Sequence, residues 1–142
     1  MQEFLDTISQ WTTENKMLIN GAKSSYMTFN RTDNYQFSTR LQLSNTALEN
    51  VTETKLVGVW ISSNLSWEKN TTELCKKAYG RVSMITKLMY VGVQTEDLLS
   101  IYTTFIRSVL EYCCTVWHSS LTHEQRDDIE QVQRVCLKVI LG

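Results

Sequence analysis

Lys55-Leu56-Val57-Gly58-Val59-Trp60-Ile61, followed by Ser62-Ser63-Asn64-Leu65-Ser66-Trp67, is the stretch where one kind of chain gives way to another. The first seven residues are rich in β-branched and aromatic side chains and read as a buried strand. After Trp67 the composition turns helical and stays so. From Glu68 to Tyr90, Leu74, Ala78, Val82, Ile85 and Met89 recur on one stripe, the signature of a long amphipathic helix. Gly92 follows as a C-terminal cap, and Thr95 stands where an N-cap would open the next helix.

That next helix carries Leu98, Leu99, Ile101, Tyr102, Phe105, Ile106, Val109 and Leu110, apolar around most of its circumference. It is expected to be the most buried element and to run on to Trp117. Thr122-His123-Glu124-Gln125 fits a capping box, and Ile129, Val132, Cys136, Val139 and Ile140 form the stripe of a third helix. Upstream, Phe4, Leu5, Ile8 and Trp11 predict a short helix over residues 3 to 14. Asn20-Gly21 is a turn signal, Tyr26 to Phe29 a β-prone run, residues 30 to 40 a polar loop, and Leu41-Gln42-Leu43 a short alternating strand punctuated by Ser44-Asn45-Thr46. The expected class is α+β: a short N-terminal helix with a small β-sheet or hairpin over residues 1–66, then a three-helix bundle over 67–142.

The chain has 142 residues, a size that folds without disulfides or metal. Its formal charge of -1 gives no overall attraction to nucleic acid, so any such binding must come from a local arrangement of lysines and arginines. Met1-Gln2-Glu3-Phe4 lacks the basic region and long apolar stretch of a secretory signal, and no apolar run is long enough to span a membrane. The expected setting is intracellular, nuclear or cytoplasmic, with no membrane partner. There the four cysteines, Cys75, Cys113, Cys114 and Cys136, stay free thiols. The sequons at Asn30, Asn50, Asn64 and Asn70 then read as chance.

The order of these elements, with the residues at their junctions, resembles the C-terminal half of the reverse transcriptase of non-LTR (LINE-type) retrotransposons over nearly the whole chain. Trp11, Leu18, Asn20, Lys23, Met27 and Phe29 match that family's helix-ending Trp, Leu-x-Asn-x-x-Lys segment and Met-x-Phe strand. Lys55, Leu56, Gly58, Ile61, Leu65 and Trp67 correspond to a Leu-Gly strand with a Leu-x-Trp ending, with Val57 interrupting the usual adjacent pair. Tyr102, Ile106-Arg107, Leu110-Glu111-Tyr112 and Val116-Trp117 match a further signature, and Ile129-Glu130-Gln131-Val132-Gln133-Arg134 matches Leu-Glu-x-Val-Gln-Arg. Two departures stand at Gln94 and Ser108, where the family usually has proline.

The resemblance implies that residues 1–66 are the end of a palm and 67–142 a thumb, a non-catalytic part of an RNA-directed DNA polymerase. Its partners would be a primer-template duplex, RNA/DNA or DNA, and the missing fingers and palm. Polymerases use two divalent metal ions, magnesium in the parent enzyme, held by aspartates that in this family lie upstream. This part would bind no cofactor. Asp127-Asp128 does not replace them: adjacent helical residues point about 100° apart, and acids in a first turn suit the helix dipole.

Lys23 aligns with the lysine of the family's fourth palm motif, whose role is to aid pyrophosphate departure; read plainly it is an exposed loop lysine. Leu56, Gly58 and Trp60 fall where a primer-grip hairpin would lie, and a buried strand with a bulge accounts for them too. Lys69, Lys76 and Lys87 align within roughly 20° on the first long helix at about 100° per residue, opposite the apolar stripe. Such a row could follow a phosphate backbone or simply be a solvated face, and Glu73 lies near it. Cys113, Cys114, His118 and His123 cluster in sequence, but their spacing suits tetrahedral zinc poorly.

Residues 55–90 also resemble a segment associated with the N-terminal region of the AlkB-type (homologue eight) alkylated-DNA-repair family, which implies oxidoreductase or methyltransferase labels. The iron triad of a 2-oxoglutarate oxygenase needs a His-x-Asp/Glu pair. His118 is followed by Ser119 and Ser120, and His123 by Glu124 and Gln125. A third reading is a transposon relic without selected function.

Overall fold

A computed structural model describes residues 1–29 and 40–142. The polar loop expected over 30 to 40, all but its last residue, and the sequon at Asn30 lie outside the described residues. The class is α+β, largely helical with small two-stranded sheets. The chain divides into two compact units: Met1–Thr54 with Ser62–Leu65, and Lys55–Ile61 with Ser66–Gly142. The sequence places all of residues 1–66 in the first part. In the structure Lys55–Ile61 instead clusters with the helices, because Val59 joins their apolar core.

The first unit opens with α1, Gln2–Glu14. None of its residues is buried, and Phe4 and Trp11 are exposed. Its Leu5 and Ile8 are half-buried, and polar bonds tie it down: the Gln2 amide donates to the Gln42 carbonyl at 2.9 Å and accepts from the Gln42 N–H at 2.9 Å, and Ser9 Oγ accepts from the Ser44 N–H at 3.2 Å. The Asn20-Gly21 signal becomes a 3-10 turn over Gly21–Lys23. A Cβ on Gly21 would come within 2.6 Å of Thr46 Cβ, so only glycine allows that approach. Strand β1, Ser25–Tyr26, pairs in parallel with β4, Glu49–Asn50. Strands β2, Gln42–Leu43, and β3, Thr46–Ala47, pair antiparallel across Ser44 and Asn45, both at positive φ. The alternation of this stretch places Leu41 and Leu43 inside and Gln42 outside.

The expected buried strand over Lys55–Ile61 is not one strand. It is a hairpin: β5, Glu53–Leu56, turns at Val57 (φ 47°) and Gly58 (φ 88°) into β6, Val59–Ser62. Two successive positive φ values are the requirement of a type I′ turn, which matches the twist of the strands it joins. Leu56 and Val57 stand exposed at the tip, and of the seven residues only Val59 is buried.

In the second unit α2 runs Glu68–Tyr90. It ends in a Schellman cap: the Gly92 N–H donates to the Met89 carbonyl and the Val93 N–H to the Leu88 carbonyl, with Gly92 at φ 81°. Of its stripe, Ala78, Val82 and Ile85 are buried, Leu74 is half-buried, and Met89 is exposed at the capped end. Gln94, not Thr95, is the residue before α3, Thr95–Ile101, and no side chain caps it.

The single helix expected from 95 to 117 is broken. After α3 the chain widens into a π-helical segment, Tyr102–Arg107, then continues as α4, Ser108–Leu110. It stops at Glu111–Cys113, with Cys113 left-handed at φ 52°, and restarts as α5, Cys114–Trp117. Phe105 lies in this widened turn and is 52% exposed, although it is one of the apolar residues expected to make this the most buried element. Arg81 answers it from α2, its guanidinium 5.3 Å from the Phe105 ring centroid and donating to the Phe105 carbonyl.

Helix α6, His123–Leu141, opens on the anticipated capping box, with Thr122 Oγ1 accepting from the Gln125 N–H at 3.2 Å and Gln125 Oε1 from the Thr122 N–H at 3.0 Å. Its Ile129, Val132, Cys136 and Ile140 close a core with Ile85, Leu98, Tyr102, Ile106 and Trp117. The polar tips are satisfied: Tyr102 Oη donates to Gln133 Oε1 at 3.1 Å, and Trp117 Nε1 to the Tyr112 carbonyl at 3.0 Å.

Candidate functional site

The helix break and the hairpin tip meet at one side chain. Because α4 ends at Leu110, Tyr112 leaves the helical path, and its hydroxyl donates to the Val57 carbonyl at 2.9 Å. The ring lies against Gly58, where an added Cβ would stand 3.3 Å from Tyr112 Cε1. Val57 and Cys113 are both non-glycine residues at positive φ, a conformation that costs on the order of 1–3 kcal/mol each. The hydrogen bond between their neighbourhoods is what holds that geometry. The Tyr112 phenol is pushed above its ordinary pKa, first by its hydrogen bond with Cys113 and then by the charge that thiol would carry.

The tip in turn fixes Trp60. Its backbone N–H donates to Asn70 Oδ1 at 3.2 Å, which ties β6 to the first turn of α2. Lys55 Nζ lies 5.8 Å from the Trp60 ring centroid and Lys69 Nζ 5.4 Å, both within cation–π reach. Beside this indole opens a cavity of about 600 Å³ whose walls include Lys55, Trp60, Asn70, Lys76, Lys77 and Tyr112. Glu73 also lines it, so three ammonium groups face one carboxylate. Among the described residues the ion pairs are Arg107–Glu111 and Arg134–Glu130, which leaves Lys55, Lys69, Lys76 and Lys77 without a carboxylate partner.

Of the residues singled out from the sequence, Gly58, Trp60 and Lys76 line this cavity, and Lys69 sits on the Trp60 ring. Leu56 is exposed at the hairpin tip. Lys87 is exposed on α2, roughly 16 Å beyond Lys76 at 1.5 Å per residue, and does not line the cavity. Lys23 is exposed at the end of its 3-10 turn in the first unit. Lys55, Asn70, Lys77 and Tyr112 also line the cavity, and none of them is singled out from the sequence as a binding residue. The nearest signal is the adjacency of Lys76 and Lys77, and the rest depends on a hairpin that the resemblance implies but no turn motif in the residues marks.

Among the described residues no three or more His, Cys, Asp or Glu side chains gather where they could hold a metal ion. Asp127 and Asp128 are exposed in the second turn of α6, not in its first turn as the sequence suggests, where Glu124 stands, and the residues present do not fit the two-metal cradle of a polymerase. Cys136 is fully buried, and desolvation pushes its thiol up to about 11. Cys75 is also raised, by burial and then by Asp128. Such thiols stay protonated and inert at neutral pH. The site is therefore suited to binding an anion beside a flat aromatic surface.

Among the described residues no helix is long and apolar enough to cross a membrane. Compared with protein-family models, with curated proteins and with solved structures, the chain gives no significant match.

Proposed function

We propose that this chain is the end of the palm and the thumb of a non-LTR retrotransposon reverse transcriptase, a non-catalytic part that holds a primer-template duplex for carboxylates and metal ions supplied elsewhere. The observation that carries this reading is the gathering of Lys55, Lys69, Lys76 and Lys77, none ion-paired among the described residues, where a hairpin tip meets the first half of α2. A net charge of -1 steers no polyanion to the molecule as a whole, so this local concentration is what would do it.

Lysines act on a duplex by neutralising phosphates and releasing condensed counterions, with no base readout. Four such contacts lower affinity about a hundredfold between 50 and 200 mM salt. Filter binding of the chain to a blunt RNA/DNA hybrid, at those two salt concentrations, is the test. Retention at low salt that falls steeply at high salt is expected. Absence of retention at the lower concentration would remove the proposal.

A further inference from the structure

We propose that the cavity beside Trp60 takes one unpaired nucleoside-monophosphate unit, its base laid against the indole and its phosphate held by Lys76 and Lys77. This goes beyond gripping a duplex, whose paired and stacked bases cannot enter a recess of about 600 Å³. A recess of that size falls in the range of small-ligand sites, which combine an apolar surface with a few convergent polar groups.

Three features fit the ligand. The first is the aromatic wall. The strand of Trp60 is anchored through its backbone to Asn70, and the residue is half-buried, so a platform is in place before any ligand arrives. Bases of any identity stack on such a face.

The second is the charge. Lys76 and Lys77 are exposed on the cavity wall, and neither holds a carboxylate among the described residues. Lys55 and Lys69 reach the indole on flexible stems, and could turn to a second phosphate oxygen as a base settles on the ring. Glu73 on the same wall disfavours a ligand carrying more charge than one phosphate, since its carboxylate repels the excess.

The third is an unmet donor. Asn70 is 3% exposed and spends its Oδ1 on the Trp60 N–H, while its Nδ2 is buried with no partner among the described residues. A buried N–H without an acceptor is destabilising, and a small turn of the Asn70 side chain, whose residue lines the cavity, is needed to bring it to the carbonyl or ring nitrogen of a seated base. Gly80 lines the same cavity from the middle of α2, and a Cβ built there meets nothing within 4 Å, so that stretch of wall is open.

The experiment uses the full chain labelled with ¹⁵N, whose Trp60 indole resonance is assigned by its loss in Trp60→Phe. Adenosine monophosphate, adenosine and inorganic phosphate are titrated separately. The monophosphate should move the Trp60 resonance to saturation and bind at least fivefold tighter than either half alone. The double variant K76Q/K77Q, altered only at exposed positions, should weaken it fivefold or more. Loss of stacking in Trp60→Ala should cost about 5-fold to 150-fold. An unperturbed Trp60 resonance at ~10 mM monophosphate would overturn the assignment. So would phosphate binding as tightly as the nucleotide, which would mark a simple anion patch, or K76Q/K77Q binding like the parent.

A hybrid carrying one unpaired terminal nucleotide, compared with a blunt one, separates the two sources of the unit. A fivefold preference for the overhang assigns it to a strand end, and saturable monophosphate binding without that preference assigns it to a free nucleotide. Failure of the blunt hybrid to bind while the monophosphate does would remove only the duplex grip, and the reverse result would remove only this inference.

Discussion

Val57 and Gly58 are neighbours in one turn, and replacing them should move stability in opposite directions. At φ 47° the β-branched Val57 is strained, and at 78% exposure its side chain contributes little burial that a replacement would lose. Val57→Asn creates the Asn-Gly pair that type I′ turns favour, relieving strain of about 1–2 kcal/mol while keeping the carbonyl that Tyr112 reaches. Gly58→Ala does the reverse. Placing a Cβ at φ 88° costs on the order of 1–2 kcal/mol, and its 3.3 Å approach to Tyr112 Cε1 presses on the Tyr112–Val57 hydrogen bond, worth about 1 kcal/mol more. The pair should therefore separate by roughly 3–5 kcal/mol, the sum of those terms. Urea unfolding followed by far-ultraviolet circular dichroism measures it as shifts of midpoint at constant slope. Equal midpoints for the two variants, or Val57→Asn falling below the parent, would refute the turn assignment and with it the placement of Trp60.

Three further outcomes follow from the same packing. Thr122→Ala removes a capping box whose two bonds are both made, and should lower stability by about 1 kcal/mol in the same urea assay. Gly80→Ala sits in the interior of α2 with nothing near its new methyl, and should raise the melting temperature by a few degrees, corresponding to about 0.5–1 kcal/mol,. An unchanged or lower melting temperature would show that this glycine meets an obstacle. For Cys136 the folded thiol titrates at about 11 and the ordinary value is 9.0, so the native state binds the proton more tightly. Its contribution is intact below pH 9 and is lost as pH rises toward 11. The stability gap between the parent and Cys136→Ala should narrow over that window, and a gap independent of pH would contradict the burial of the thiol.

The elements legible from sequence were those with redundant local signals. Helix α2 carries a five-member stripe and Gly92 at its end, and α6 carries a full capping box ahead of its stripe, so periodicity and punctuation agree. The hairpin at Val57–Gly58 was offered only by the resemblance; the residues themselves read as one strand because a valine in the left-handed region contradicts its own propensity, and the bond from Tyr112 reaches its carbonyl there. The break after Leu110 was hidden for a related reason. The chain contains no proline, Cys113 rather than glycine takes the positive φ, and the apolar period runs on through the interruption. The lysine row was visible as helical spacing, but spacing within one helix says nothing about what approaches it. Lys55 and Tyr112 join the site from other elements once the hairpin folds back, Asn70 joins it from the first turn of the same helix, and Lys87 does not line the cavity.

The most direct measurement of the duplex-holding role is the slope of log affinity against log salt for a blunt RNA/DNA hybrid, taken for the parent chain and for the variant with Lys55, Lys69, Lys76 and Lys77 all changed to Gln. Four phosphate contacts give a parent slope of about -3.6 that the variant should lose almost entirely. Identical slopes for the two proteins would show that the lysines around Trp60 hold no phosphates.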